Sequence, residues 1–302
     1  KMKNGKSCGP EGIYAELLKS ETSKLYRTLT RIINECLNSH ETPRVENGIY
    51  ISIFKKGVNS DYQNYRGISV TDTMSRLYGR ILRELIEKEI TDEEERSGFR
   101  GGQSCTVNVF IMKQIIEKRS AVNLKTHILF IDLKKAYDNI PIDKLRVWEV
   151  LPQTNLNQSV ITAIKNLYAH SAARVKIGNK LSPPPYITKG LRQGCCISPT
   201  LFKIYIKEAL LKWKKKCSGI GIPLADRTIY SLQFSDHAVI AGDKEDLEYD
   251  SQAKRDLLRM GTNNEHPKDQ ISKNWRWIRK FTHRWHRRNR GLQRIQVLRR
   301  NI

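Results

Sequence analysis

No apolar run in this sequence approaches the roughly 20 residues that a membrane-crossing helix needs, which excludes a helical membrane protein. No apolar stretch follows the opening Lys1-Met-Lys-Asn-Gly-Lys6, so a secretory signal is not expected. The first residue is not Met, as in a fragment of a longer chain. Only six cysteines occur in 302 residues, scattered and without a Cys-x-x-Cys pair. This excludes a zinc ribbon or disulfide framework and predicts reduced thiols in an intracellular protein, nuclear or cytoplasmic. Gly5-Lys6-Ser7 lacks the preceding glycine and strand of a P-loop. His283-x-x-His286 lacks a motif Glu and a third ligand, so it reads as a surface pair. No internal repeat is visible.

Acidic residues are scarce: 31 Asp and Glu stand against 54 Lys and Arg, a net charge of +23. A polyanion is the natural partner for such a chain, because each phosphate it neutralises releases a counterion. The plainer alternative is a well-solvated basic surface. Hydrophobic residues make up 39%, enough for a packed core in one large domain or two ordinary ones.

Apolar spacing predicts helices over residues 11–37, 72–90, 104–118, 142–151, 155–169 and 198–216. Alternation predicts strands at 49–54 and 125–132, a hairpin from Arg174 interrupted by Ser182-Pro-Pro-Pro185, and a second hairpin over 232–243. Helices and strands mix without a strict period, so the expected fold class is α+β. From Lys268 to Ile302, 12 Lys and Arg meet one acid, Asp269, and three tryptophans interleave with them. This tail suits phosphate contact and base stacking. A poorly ordered tail with no role is the equal alternative, since apolar spacing there is weak.

Two aspartates frame the chemistry. Asp132 closes the apolar strand Phe130-Ile-Asp132, and a partly buried charge in such a place must be paired or bound to a metal. Asp236 sits at the tip of the hairpin LQFSDHAVIAGD, 104 residues later. If both elements are neighbours in one antiparallel sheet, the carboxylates converge on a single hard cation such as Mg²⁺. Taken alone, two distant aspartates read as ordinary surface residues.

The motifs decide the matter. FIDLKKAYDNI (130–140) resembles the first catalytic motif of reverse transcriptases from non-LTR (LINE-like) retrotransposons, and GLRQGCCISPTLF (190–202) resembles their next one. LQFSDHAVIAGD is similar to the family's hairpin of two adjacent aspartates. SCGPEGIYAELLK (7–19), ISIFKKG (51–57), NYRGISV (64–70) and SGFRGGQSC (97–105) resemble its fingers motifs. The ordered series covers residues 7–243.

The resemblance implies a right-hand, palm-and-fingers polymerase with an antiparallel palm sheet: residues 1–118 fingers and the start of the palm, 119–248 palm, 249–302 tail. It implies RNA template, DNA primer and deoxynucleoside triphosphates as partners, and Mg²⁺ or Mn²⁺ held by Asp132 and Asp236. Lys55 and Arg66 would hold the triphosphate. Tyr137 would be the steric gate under the sugar, or a core aromatic. Gln193 and Gly194 would lie against nucleotide and template, while Phe99, Arg100 and Gly101 line the template path. Asp138 is expected to cap the following helix.

The chain departs from that pattern in four places. His237 stands where the family has its second aspartate, Glu11 where it has Asp, and Gly67 where it has Pro. After Glu248 the resemblance ends, with neither the lysine-bearing turn nor thumb helices recognisable. Two readings follow: an RNA-directed DNA polymerase domain impaired by His237, or a non-catalytic nucleic-acid-binding remnant. A nuclease or other metal phosphotransferase would use paired aspartates too, but leaves the Gln193–Pro199 block unexplained.

Overall fold

A computed structural model describes residues 2–20, 22–39, 42, 48–91, 96–124, 126–132, 137–138, 140, 147–169, 173–183, 190–216, 221–224, 226–234, 237–241 and 296–301. In chain order the elements are α1 (Ser23–Ser39), β1 (Gly48–Phe54), β2 (Tyr65–Val70), α2 (Thr73–Glu89), α3 (Cys105–Ala121), β3 (His127–Asp132), α4 (Val147–Val150), α5 (Gln158–Ala169), β4 (Ala173–Ile177), β5 (Lys180–Leu181), α6 (Ser198–Lys216), β6 (Ile222–Leu224), β7 (Arg227–Ile229), β8 (Ser231–Gln233), β9 (His237–Ala241) and β10 (Gln296–Asn301). The architecture is α+β, and among the described residues no helix is long and apolar enough to cross a membrane. Residues 1–91 with 137–205 form one compact unit, and 92–136 with 206–302 a second.

In the first unit, β1 alternates along Ile49-Tyr-Ile-Ser-Ile-Phe54 and pairs antiparallel with β2, Phe54 facing Tyr65. β4 joins the other edge of β1 in parallel, and a two-residue turn through Gly178 (φ +59°) leads into β5. The sheet order is therefore β2-β1-β4-β5. Its helical core comes from apolar residues spaced by three and four. α2 buries Tyr78, Leu82 and Ile86, while α5 buries Ile161, Ile164, Leu167 and Tyr168. Ile197, Leu201 and Phe202 complete it.

The helix expected over residues 11–37 begins only at Ser23. Gly12 takes φ +74°, a conformation no helix interior accepts, and the Glu11 carboxylate is engaged elsewhere. Glu11 Oε1 accepts the backbone N–H of Thr73 at 2.6 Å, capping α2 from 62 residues away. Asp72, the residue at the cap position, makes no capping bond itself.

The Asp72 and Glu11 carboxyls sit close enough to perturb each other. Burial, and then the hydrogen bond and charge of Glu11, push Asp72 up to about 6 from 3.8. Burial acts upward on Glu11 too, but the Thr73 N–H and the Asp72 hydrogen bond hold it below its ordinary value. A raised carboxyl stabilises the fold below its unfolded value and loses that contribution as pH rises through about 6. Asp72→Asn keeps a donor toward Glu11 without the charge. Its melting temperature should exceed the parent's at pH 7.5 by the equivalent of about 1 kcal/mol, after discounting for solvent screening, and match it near pH 4. A difference independent of pH would show that the two carboxyls do not interact.

The second unit has its own sheet, in the order β10-β3-β9-β8. β3, β9 and β8 are antiparallel, as expected, whereas β10 adds in parallel along β3. This last strand falls in a tail for which the sequence indicated no element. The β6–β7 hairpin places Ile222 and Ile229 beside Ile115 of α3 and Leu232 of β8, with Ile111 and Met112 packed on them. The expected helix over 142–151 is described only at Val147–Val150.

Candidate functional site

Lys55 and Arg66 are brought to one face by the β1–β2 register. Ile53 pairs with Arg66, so their side chains point the same way, and the Lys55 N–H extends the ladder to the Asn64 carbonyl at 2.8 Å. Two residues beyond Ile53, Lys55 returns to that face, and both cations are exposed.

Gln193 sits on the turn after Leu191, latched to β2 because the Ser69 N–H donates to its carbonyl at 2.7 Å. Gly194 follows with φ +104°, and a Cβ there would lie 2.7 Å from the Ser69 carbonyl oxygen. Only glycine allows so close an approach. The Gln193 side chain bridges two charges: Arg66 Nε donates to its Oε1 at 2.8 Å, and its Nε2 donates to Asp138 Oδ1 at 2.7 Å. The amide orientation is unambiguous, since guanidinium can only donate and carboxylate only accept.

Asp138 therefore binds Gln193, a role sequence reasoning missed. The start of the helix it was expected to cap, residues 141–146, lies outside the described residues. Adjacency to Tyr137 was the available signal, but a partner 55 residues onward leaves no trace in local spacing. Tyr137 is half-buried, with its ring stacked on Phe202 at 4.8 Å and 15° and its carbonyl accepting the Leu191 N–H at 2.8 Å.

Below the turn, a buried polar cluster holds it rigid. The Arg192 guanidinium stacks 5.0 Å over Tyr168 and donates to the Leu167 carbonyl. Ser198 Oγ donates to the Arg192 carbonyl at 2.7 Å and lies 2.8 Å from the Tyr168 hydroxyl.

In the second unit, Asp132 ends β3 and His237 begins β9, with Ile131 and His237 paired. His237 is thus a strand residue rather than part of the tip. Ser235, Asp236 and the side chains of Asp132 and His237 lie outside the described residues. Among the described residues no three His, Cys, Asp or Glu side chains form a metal cage. The donor chemistry fits a hard divalent cation, because both expected ligands are carboxylates on chain-neighbours of that paired couple.

Phe99, Arg100 and Gly101 follow a fixed anchor. The N–H groups of Ser97 and Gly98 donate to the Gln233 carbonyl at 2.8 and 3.2 Å. A Cβ on Gly98 would fall 2.6 Å from the Phe234 backbone, so this loop lies against the outgoing end of β8. Phe99 is left-handed (φ +60°) and exposed, a conformation costly for an aromatic residue and usually kept for a purpose.

The reverse transcriptase (RNA-dependent DNA polymerase) family matches residues 53–262. A Xenopus laevis protein, the transposon TX1 uncharacterized 149 kDa protein, is 24% identical over 82% of this chain and 19% of its own length. The probable RNA-directed DNA polymerase from transposon BS of Drosophila melanogaster is 23% identical over 67% of this chain and 23% of its own. The Pol polyprotein of type-1 retrotransposable element R2 from Popillia japonica is 21% identical over 46% and 22%. The chain spans about a fifth of the length of these curated relatives. Among solved structures, apo telomerase from Candida tropicalis, truncated from its C-terminal domain, superposes with a TM-score of 0.49 at 13% identity, covering 83% of this chain and 57% of that one. It is the family match over residues 53–262, in agreement with the motif order, that carries the assignment. The chain belongs to the reverse transcriptase (RNA-dependent DNA polymerase) family, as a domain of the non-LTR, LINE-like kind.

Proposed function

We propose that this chain extends a DNA primer on an RNA template, with residues 1–118 as fingers and the start of the palm, 119–248 as palm and 249–302 as a basic tail. The observation that carries this reading is the pairing of Ile131 with His237, whose chain neighbours are Asp132 and Asp236. Those two carboxylates would hold a divalent cation, Mg²⁺ or Mn²⁺, which when bound offsets the charge that builds up on the reacting phosphate.

The other roles fall to side chains of the chain itself. With its Nε spent on Gln193, Arg66 keeps its terminal nitrogens for the triphosphate, and Lys55 adds a point charge on the same face. Gln193 keeps Arg66 aimed, and Asp138 keeps Gln193 aimed. Gly194 lets nucleotide and template approach the backbone. Tyr137, backed by Phe202, blocks a 2′-hydroxyl and favours deoxynucleotides. Phe99, Arg100 and Gly101 guide the template, with the left-handed Phe99 presenting its ring outward. The primer 3′-hydroxyl then attacks the α-phosphate and pyrophosphate leaves.

A second reading is favoured by His237, which replaces one family carboxylate: a nucleic-acid-binding remnant that no longer polymerises. Primer extension on an RNA template with Mg²⁺ or Mn²⁺ separates them. Asp132→Ala should lower extension about 10³-fold, the several kcal/mol a metal ligand set supplies. If the unaltered chain extends nothing yet binds RNA with affinity that falls steeply with salt, the remnant reading stands.

A further inference from the structure

We propose that Cys195 and Cys196 are a paired-thiol modification site, which a peroxide converts into a disulfide between neighbouring residues and thereby unseats the Gln193–Gly194 turn. Cys195 and Cys196 follow Gly194 directly, and both are part-exposed. The pair has a built seat. Cys196 Sγ lies 3.6 Å from the Arg76 carbonyl and 3.3 Å from where a Cβ on Gly79 would stand, so glycine at 79 makes room for the sulfur. Cys195 N–H donates to the Arg192 carbonyl at 3.2 Å. Nothing in the proposed polymerase reaction uses either thiol.

The two sulfurs are chemically unequal. The neighbouring Cys196 side chain, and then the Arg192 guanidinium, hold the Cys195 thiol down to about 6 against its partial burial. The neighbouring Cys195 side chain, and then burial, drive Cys196 well above the thiol range. Of the two, Cys195 is therefore the more acidic thiol and the nucleophile. Its sulfur attacks one oxygen of hydrogen peroxide, the O–O bond breaks, and hydroxide leaves to become water. The resulting Cys195 sulfenic acid is attacked by the Cys196 sulfur, which gives up its proton as the S–O bond breaks and a second water leaves. Two thiols are oxidised by two electrons, and one peroxide is reduced to two waters.

Ring closure must disturb the backbone. Ordinary disulfides span Cα separations of about 4.4–6.8 Å, but a trans peptide fixes neighbours at about 3.8 Å. The 195–196 peptide has to twist, and the bonds to the Arg192 and Arg76 carbonyls are not both kept. Gln193, whose carbonyl is latched to Ser69 at 2.7 Å, is only two residues upstream. Strain also makes such a disulfide easy to reduce, so the modification reverses.

The test exposes the full chain to a small excess of hydrogen peroxide, blocks free thiols with N-ethylmaleimide and digests with trypsin. Fragment 193–203 holds both cysteines. It should lose two hydrogens, take up no maleimide and regain both with dithiothreitol, before Cys8, Cys36, Cys105 or Cys217 change. Two maleimides on that fragment at peroxide levels that oxidise the other cysteines would overturn the site. In Cys196→Ser, dimedone should trap a sulfenic acid on Cys195, and no adduct would remove Cys195 as the attacking sulfur. The functional consequence alone rests on the polymerase reading: oxidation should lower primer extension about tenfold or more, with dithiothreitol restoring it and Cys196→Ser resisting the loss. Oxidation without that loss would refute the unseating of the turn. Should the reduced chain extend no primer, the fragment masses still decide the thiol chemistry.

Discussion

Replacing His237 with Asp is expected to raise primer extension on an RNA template about 10–100-fold, the range seen when a supporting group at a metal centre is lost or regained. His237 opens β9 opposite Ile131; in the chain Asp236 directly precedes His237, and Asp132 directly follows Ile131. Imidazole is neutral or cationic near pH 7 and prefers softer metals, so it cannot stand in for a carboxylate beside a hard cation. The first aspartate of the hairpin, Asp236, remains, which is why extension is expected to be weak in the natural chain and not absent. The gain should be smaller in Mn²⁺ than in Mg²⁺, because Mn²⁺ accepts nitrogen donors more readily. Equal extension by the natural chain and His237→Asp, in both metals, would show that position 237 does not contribute to the metal site. If only His237→Asp extends the primer, loss of this one carboxylate is what silenced the domain.

Gly194→Ala should be the most destabilising single-atom addition on the nucleotide side, at about 2–4 kcal/mol. Two costs combine. An L-residue forced to φ +104° pays about 1–3 kcal/mol in backbone strain, and the new methyl would sit 2.7 Å from the Ser69 oxygen and 3.3 Å from Ile68 Cγ2. Relief requires the turn to lift from β2, which breaks the Ser69–Gln193 bond and with it the aim of Gln193 between Arg66 and Asp138. Melting temperature should fall by roughly 5–10 °C. Gly101→Ala is the matched control: nothing stands within 4 Å of its added Cβ, so its melting temperature should stay within about 1 °C of the parent's. Similar melting of all three proteins would mean that the turn is not pressed against β2.

Much of the element order was legible because side-chain periodicity is a local property. β1, β3, α2, α5 and α6 fall within a few residues of where apolar spacing predicts them, and α6 coincides at Ser198–Lys216. The β8–β9 hairpin was readable from two apolar runs around a polar tip, although the strand begins at His237 and so takes one residue from that tip. The missed pieces have a common cause. The start of α1 shifted to Ser23 because Glu11 leaves its own segment to cap α2, a bond across 62 positions. The short β6–β7 hairpin carries too few residues for a period to register, and β10, with Arg299, Arg300 and Asn301 in its second half, lacks an apolar alternation and is seen only in its pairing along β3.

By itself, then, the sequence determined the class of fold, the motif series that marks a reverse transcriptase, the basic charge and the departure at His237. These depend on residue types and short spacings, which are written directly along the chain. Tertiary structure alone decided that Arg66, Gln193 and Asp138 form one hydrogen-bonded line, that β1 takes β4 as a parallel neighbour, and that Cys196 has a seat beside Gly79 and Arg76. Each of these joins residues dozens of positions apart, and such contacts arise from the packing of whole elements, which no local pattern encodes.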